Sequence, residues 1–245
     1  MNDIIKRIVS IAAKKKEGHI GSSLSILDIL IVLYGKNIIN DNNKFVLSKG
    51  HASLGLYAVL EYYNLLSEDL DSFCDFDSRI GGHPSNKLKN IECSTGSLGH
   101  GFPIALGMAL AKKIKKEDGN IYCLIGDGES NEGTIWETAL LAAHHKLDNL
   151  ICIMDHNKSG DRALTIDPVG KKFESFNWDV EEIDGHNQEE IINCLLKKRN
   201  KPTFILANTI KGKGISFMEN NPEWHHKAPT EEDLIKIYKE ILPNE

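Results

Sequence analysis

The chain lacks most of what would tie it to an oxidising compartment, a membrane or nucleic acid. Five cysteines among 245 residues, Cys74, Cys93, Cys123, Cys152 and Cys194, are odd in number and show no Cys-x-x-Cys spacing. That excludes a disulfide framework and fits a reducing cytoplasm. No apolar run approaches the roughly 20 residues a membrane helix needs. The first residues read as an amphipathic helix with Asp3 and Lys6 rather than a signal peptide. Excess positive charge is missing too: the net charge of -6 argues against a nucleic-acid partner. Lysine-rich clusters stand at 14–16, 112–116 and Lys197 to Arg199, but each ends an apolar helical pattern, where cations complement the helix dipole.

What is present centres on residues 121–157, IYCLIGDGESNEGTIWETALLAAHHKLDNLICIMDHN. The run 121–125 is apolar and rich in strand formers, and it stops at Gly126-Asp127-Gly128. Ile135, Thr138, Ala139, Ala142 and Ala143 then recur at helical spacing. A second apolar strand over 150–154 leads to Asp155-His156-Asn157, as expected of a parallel strand covered on both faces. A right-handed strand-helix-strand crossover puts both strand ends on one edge of the sheet, so Asp127 and Asn157 should meet in space. A carboxylate and an amide oxygen are hard donors, and they suit a magnesium ion bridging a diphosphate.

The same stretch resembles the thiamine-diphosphate motif, Gly-Asp-Gly followed about thirty residues later by Asn. Its continuation is similar to the transketolase family, with Glu132, Glu137 and the run HKLDNL at matching offsets. The resemblance implies a thiamine diphosphate-binding α/β fold, a parallel sheet with helices on both faces, forming one diphosphate-binding domain over 1–245. It implies thiamine diphosphate and Mg2+ as cofactors, with Asp127, Asn157 and the Ser159 carbonyl as metal ligands. Gly128 and Glu132 join the cofactor set, and Glu132 with Glu137 also suggests a subunit interface.

Other segments carry the resemblance along almost the whole chain. Gly18-His19-Ile20-Gly21 matches a substrate-facing His, followed by Ser22-Ser23 as a helix N-cap and an apolar helix to Tyr34. Leu47-Ser48-Lys49-Gly50-His51 matches a His set against the cofactor. Gly81-Gly82-His83-Pro84 offers a third His, for substrate. Thr95-Gly96-Ser97-Leu98-Gly99 matches a loop whose backbone approaches the cofactor at Gly96, Ser97 and Leu98. Trp224-His225-His226 matches the closing loop, and the resemblance places the catalytic, substrate- and cofactor-contacting His at His225, while many relatives have Gly where this chain has His226. His19 shares the catalytic role.

The expected activity is therefore transfer of a two-carbon ketol unit from a ketose to an aldose, as phosphates. The resemblance covers only the family's diphosphate-binding domain, so the pyrimidine-binding and C-terminal domains are expected on another chain. A C-terminal transketolase subunit carrying the pyrimidine-binding domain is the expected partner, in a hetero-oligomer with two copies of each chain. Alternatives are a subunit of a deoxyxylulose-phosphate-synthase-like or 2-oxoacid-processing thiamine diphosphate enzyme, or a non-catalytic cofactor-binding module.

Overall fold

The computed structural model describes residues 1–242. Three helices open the chain: α1 (Asn2–Lys15), α2 (Ile20–Leu24) and α3 (Leu27–Gly35). Strand β1 (Lys44–Leu47) and helices α4 (Ser53–Tyr62) and α5 (Gly101–Lys115) follow. The central unit is β2 (Ile121–Gly126), α6 (Gly133–His144) and β3 (Leu150–His156). Then come α7 (Val169–Ser175), β4 (Asp179–Asp184), α8 (Gln188–Leu196), β5 (Thr203–Asn208) and α9 (Glu231–Ile241).

All strand pairings are parallel, in the order β1-β2-β3-β5-β4. Successive strand residues point to opposite faces, so each strand feeds two cores. Tyr122, Leu124, Ile151, Ile153 and Ile205 pack with α1 to α4, α8 and α9 on one face. Cys123, Ile125, Cys152, Met154 and Phe204 pack with α5, α6 and α7 on the other. The continuous apolar runs arise from this double coverage, and the expected α/β architecture with helices on both faces is what forms. Cys123 and Cys152 are fully buried core residues, and burial pushes both thiols up.

One expected element differs. Ser22 and Ser23 do not cap a long helix; they lie buried inside the short α2, and the chain turns through Ser25 before α3 begins at Leu27. Tertiary bonds explain the break: the Ser22 carbonyl accepts from Lys49 Nζ at 3.1 Å, Ser23 Oγ accepts from Gly55 N at 3.2 Å, and Ser25 Oγ donates to Asp155 at 2.8 Å. The lysine clusters behave as expected. Lys14 and Lys15 occupy the last turn of α1, and Arg199 donates to the terminal carbonyls of α8 at Cys194 and Leu195.

Candidate active site

Strands β1, β2 and β3 end on the same edge, and each ends in a polar turn: Ser48-Lys49, Asp127-Gly128 and Asn157-Lys158. In a parallel sheet this edge is where ligands sit. A crevice of about 320 Å³ opens there, walled by His19, His51, His83, Gly96, Leu98, Asp127, Gly128, Asn157, Ser159 and His225. A neighbouring hollow of about 590 Å³ shares Asn157, Ser159, Lys211 and His225 with it. Another hollow, about 680 Å³, opens between Asn120 and Asn149 at the amino ends of the strands and contains no nominated residue.

The floor is built on Asp155, the fully buried residue near the end of β3. It forms a buried ion pair with Lys49 and accepts from Thr209 Oγ1, from Ser25 Oγ at 2.8 Å and from Asn157 Nδ2 at 2.8 Å. Burial pushes the Asp155 carboxyl up, but Lys49 and these hydrogen bonds pull it further the other way, so it stays below the usual range. Because Asn157 donates its amide nitrogen to Asp155, its Oδ1 is turned to the loop, where it accepts from Ser159 N at 3.0 Å.

Glu129 is the second floor carboxylate. It accepts from Ser48 Oγ at 2.5 Å, Gly99 N at 2.8 Å and Gly126 N at 3.1 Å, tying the ends of β1 and β2 to the glycine loop. Burial pushes its carboxyl up. Asp127 is also raised, by burial first and the Asp155 charge second. Its oxygens accept from Gly128 N at 2.6 Å, Gly160 N at 3.3 Å and Ser159 Oγ at 3.4 Å. The loop comes this close because residue 160 is glycine: a Cβ there would lie 2.7 Å from the Gly128 backbone. A buried carboxylate whose charge is disfavoured, beside an amide oxygen, fits a divalent cation with oxygen ligands.

The rim is imidazole. His51 is pressed down to about 3, by burial first and then by Lys49, so it is neutral near pH 7. His19 stands 5.6 Å from His51 between ring centroids, and its Nδ1 donates to Glu17 Oε1 at 2.8 Å. The Glu17 carboxyl is drawn down to about 2, chiefly by that hydrogen bond. His225 is exposed, and its Nδ1 accepts from Lys211 Nζ at 2.7 Å, since an ammonium only donates. His226 packs edge-on against His19 with 4.4 Å between centroids. Trp224 is buried against Phe217 and anchors this loop.

The structure thus gathers most of the nominated residues and leaves two outside. Glu132 is exposed at the start of α6, and Ser97 is exposed with its hydroxyl 3.3 Å from His100 Nδ1. Sequence reading passed over Lys49, Asp155, Glu129 and Lys211. For Lys49, Asp155 and Glu129 the available signal was their position, each within three residues of a motif glycine, asparagine or histidine; Lys211 carried no such signal.

This crevice and sheet define a thiamine diphosphate-binding α/β enzyme domain. The family described as "Transketolase, thiamine diphosphate binding domain" matches residues 2–245. An apulose-4-phosphate transketolase subunit of Phocaeicola vulgatus is 38% identical over 96% of this chain and 90% of its own length. The 6-deoxy-6-sulfo-D-fructose transketolase subunit of Clostridium sp. is 38% identical over 94% of this chain and 90% of its own. The transketolase structure from Campylobacter jejuni superposes with a TM-score of 0.88 at 34% identity, over 98% of this chain and 42% of that one. This chain belongs to the transketolase family, and residues 2–245 match its thiamine diphosphate-binding domain.

Proposed function

We propose that this chain supplies the diphosphate half of a ketol-transferring active site, moving a two-carbon unit from a ketose phosphate to an aldose phosphate. The reading rests on one observation: Asp127, Asn157 and the loop through Ser159 meet at the carboxyl ends of adjacent parallel strands. Asp127, Asn157 Oδ1 and the Ser159 carbonyl hold Mg2+, and His51 with the backbone of 96–98 and Gly128 holds the diphosphate end of the cofactor. Lys49 and Lys211 line the same crevice and offset the anionic charge. When bound, thiamine diphosphate supplies the carbon nucleophile that opens the bond beside the donor carbonyl. His19 presents its Nε2 to a substrate hydroxyl, because Nδ1 is occupied by Glu17. His225 moves the proton of the hydroxyl beside the scissile bond, with Lys211 setting its tautomer. His83 holds a further hydroxyl.

The chain acts as one domain in the cytoplasm, with a second subunit that carries the pyrimidine-binding domain, two copies of each. Ile104 of α5 and Leu140 and Leu141 of α6 are 41%, 56% and 47% exposed, and Leu98 stands beside the crevice. The partner covers this apolar surface and excludes water from the site. The deciding experiment is reconstitution. Ketol transfer with thiamine diphosphate and Mg2+ should require both subunits, and the 245-residue chain alone should show none. Transfer by the isolated chain, or carbon dioxide release from a 2-oxoacid by the pair, would overturn the reading.

A further inference from the structure

Glu17, His19 and His226 converge on the lip of the crevice. One ligand atom from each lies within 4.8 Å of the others, and among the described residues no other three His, Cys, Asp or Glu groups meet so closely. The arrangement is held by backbone on both sides. Glu17 Oε1 accepts from Gly18 N at 2.9 Å and His19 N at 3.0 Å, which folds its carboxylate back over its own loop toward His19 Nδ1. On the other side, residues 226 and 227 lie so near Gly18 that a Cβ there would stand 2.7 Å from the His226 carbonyl carbon. Lys227 is pinned over the Trp224 ring at 4.4 Å, so the segment carrying His226 is held at both flanks.

We propose that Glu17, His19 and His226 form a binding site for a zinc-like divalent transition metal, separate from the magnesium site. Two imidazoles and one carboxylate with an open fourth position are the donor set that borderline-soft ions take, whereas magnesium prefers oxygen alone. The two sites therefore select different ions by donor chemistry. Tetrahedral zinc with bonds of about 2.0–2.1 Å needs its ligand atoms roughly 3.3 Å apart. Glu17 and His19 at 2.8 Å open slightly as the ion replaces the shared proton, which passes to solvent, and the exposed His226 ring swings in to complete the set. The ion then occupies the histidine that faces substrate. On the reading of His19 given above, the ion takes Nδ1 and turns the ring that presents Nε2 to substrate, so zinc acts as a brake on ketol transfer.

Cobalt(II) titration of the full chain, without cofactor or magnesium, tests the site through visible absorption. One equivalent should give an intense spectrum of four or five coordination, displaced by Zn2+. His226→Gly and Glu17→Gln should each weaken binding more than about tenfold, while Asp127→Ala leaves it unchanged. Glu17→Gln keeps the side-chain shape, so it serves should His226→Gly misfold. Equal affinity in both variants, a pale six-coordinate spectrum, or sulfur-to-cobalt absorption placing the ion on a cysteine such as Cys74 would overturn the site. In the reconstituted enzyme, Zn2+ should inhibit the wild type and spare His226→Gly, and equal inhibition of both would overturn the brake. Absence of ketol transfer altogether would strike the proposed function and leave the cobalt result standing.

Discussion

At the floor of the crevice Lys49, Asp155 and Glu129 are almost wholly buried and each is paired, whereas at the rim His83, His225 and His226 stand in solvent. The floor charges hold the ends of β1, β2 and β3 to the loops around them, so removing one leaves its partner buried and uncompensated. The rim side chains hold little of the fold. Folding and chemistry are thereby divided between two layers of the same site, and substitutions should separate them.

The largest expected effect is at the floor. Lys49→Ala should destabilise the chain by about 3–5 kcal/mol, since it strands the Asp155 carboxylate, and urea unfolding would show it as a lower midpoint at unchanged slope. A midpoint within error of the wild type would mean that the ion pair is not part of the fold.

Next comes Asp127, a floor residue that faces outward. Asp127→Ala should weaken magnesium-dependent thiamine diphosphate binding by more than about 100-fold, because loss of a metal ligand exceeds the roughly 10–100-fold typical of residues that only orient a ligand. Calorimetry on the assembled complex measures this, and unchanged affinity would remove the metal assignment.

The rim should respond in turnover alone. His225→Ala should slow ketol transfer by about 100-fold or more, the range of a positioned acid or base, with an unchanged thermal midpoint. His226→Ala should slow it less than about tenfold, because His226 packs against His19 while His225 lines the crevice. The reverse order would move the proton-transfer role from one ring to its neighbour.

The smallest effect sharpens the comparison by its sign. Burial and Asp155 raise the Asp127 pKa in the folded chain, so its charge opposes folding at neutral pH. Asp127→Asn should therefore raise the urea midpoint of the cofactor-free chain slightly at pH 7. That gain should fade as pH falls through the raised folded value and vanish below about 3.9, where the wild-type carboxyl is protonated in both states. Asp155 has the opposite sign: its depressed pKa contributes stability above about 3.9 that is lost as pH falls through the folded value. Equal midpoints for Asp127→Asn and wild type across this range would show that Asp127 is not strained by its surroundings.

Much of the architecture was legible beforehand. The apolar runs at 121–125 and 150–154 read as strands covered on both faces, and β2 and β3 form there. Asp127 and Asn157 follow from the crossover rule once those strands are accepted. The break between α2 and α3 was not legible, because Ser22, Ser23 and Ser25 look like capping residues until Lys49, Gly55 and Asp155 approach from 27 to 130 positions away. Glu129 is hidden for the same reason. Third after Gly126, it reads as a turn carboxylate, and only folding surrounds it with Ser48, Gly99 and Gly126.

What the sequence alone determined is the periodic part: strands, helices, the polar turns that end them, and the oxygen donors those turns carry. These depend on local spacing, which a linear chain displays in full. The tertiary structure decided which polar residues became buried and paired. It also decided which of two adjacent histidines faces the crevice and which meets Glu17 and His19, because pairing across the chain depends on distances in space that adjacency in sequence does not contain.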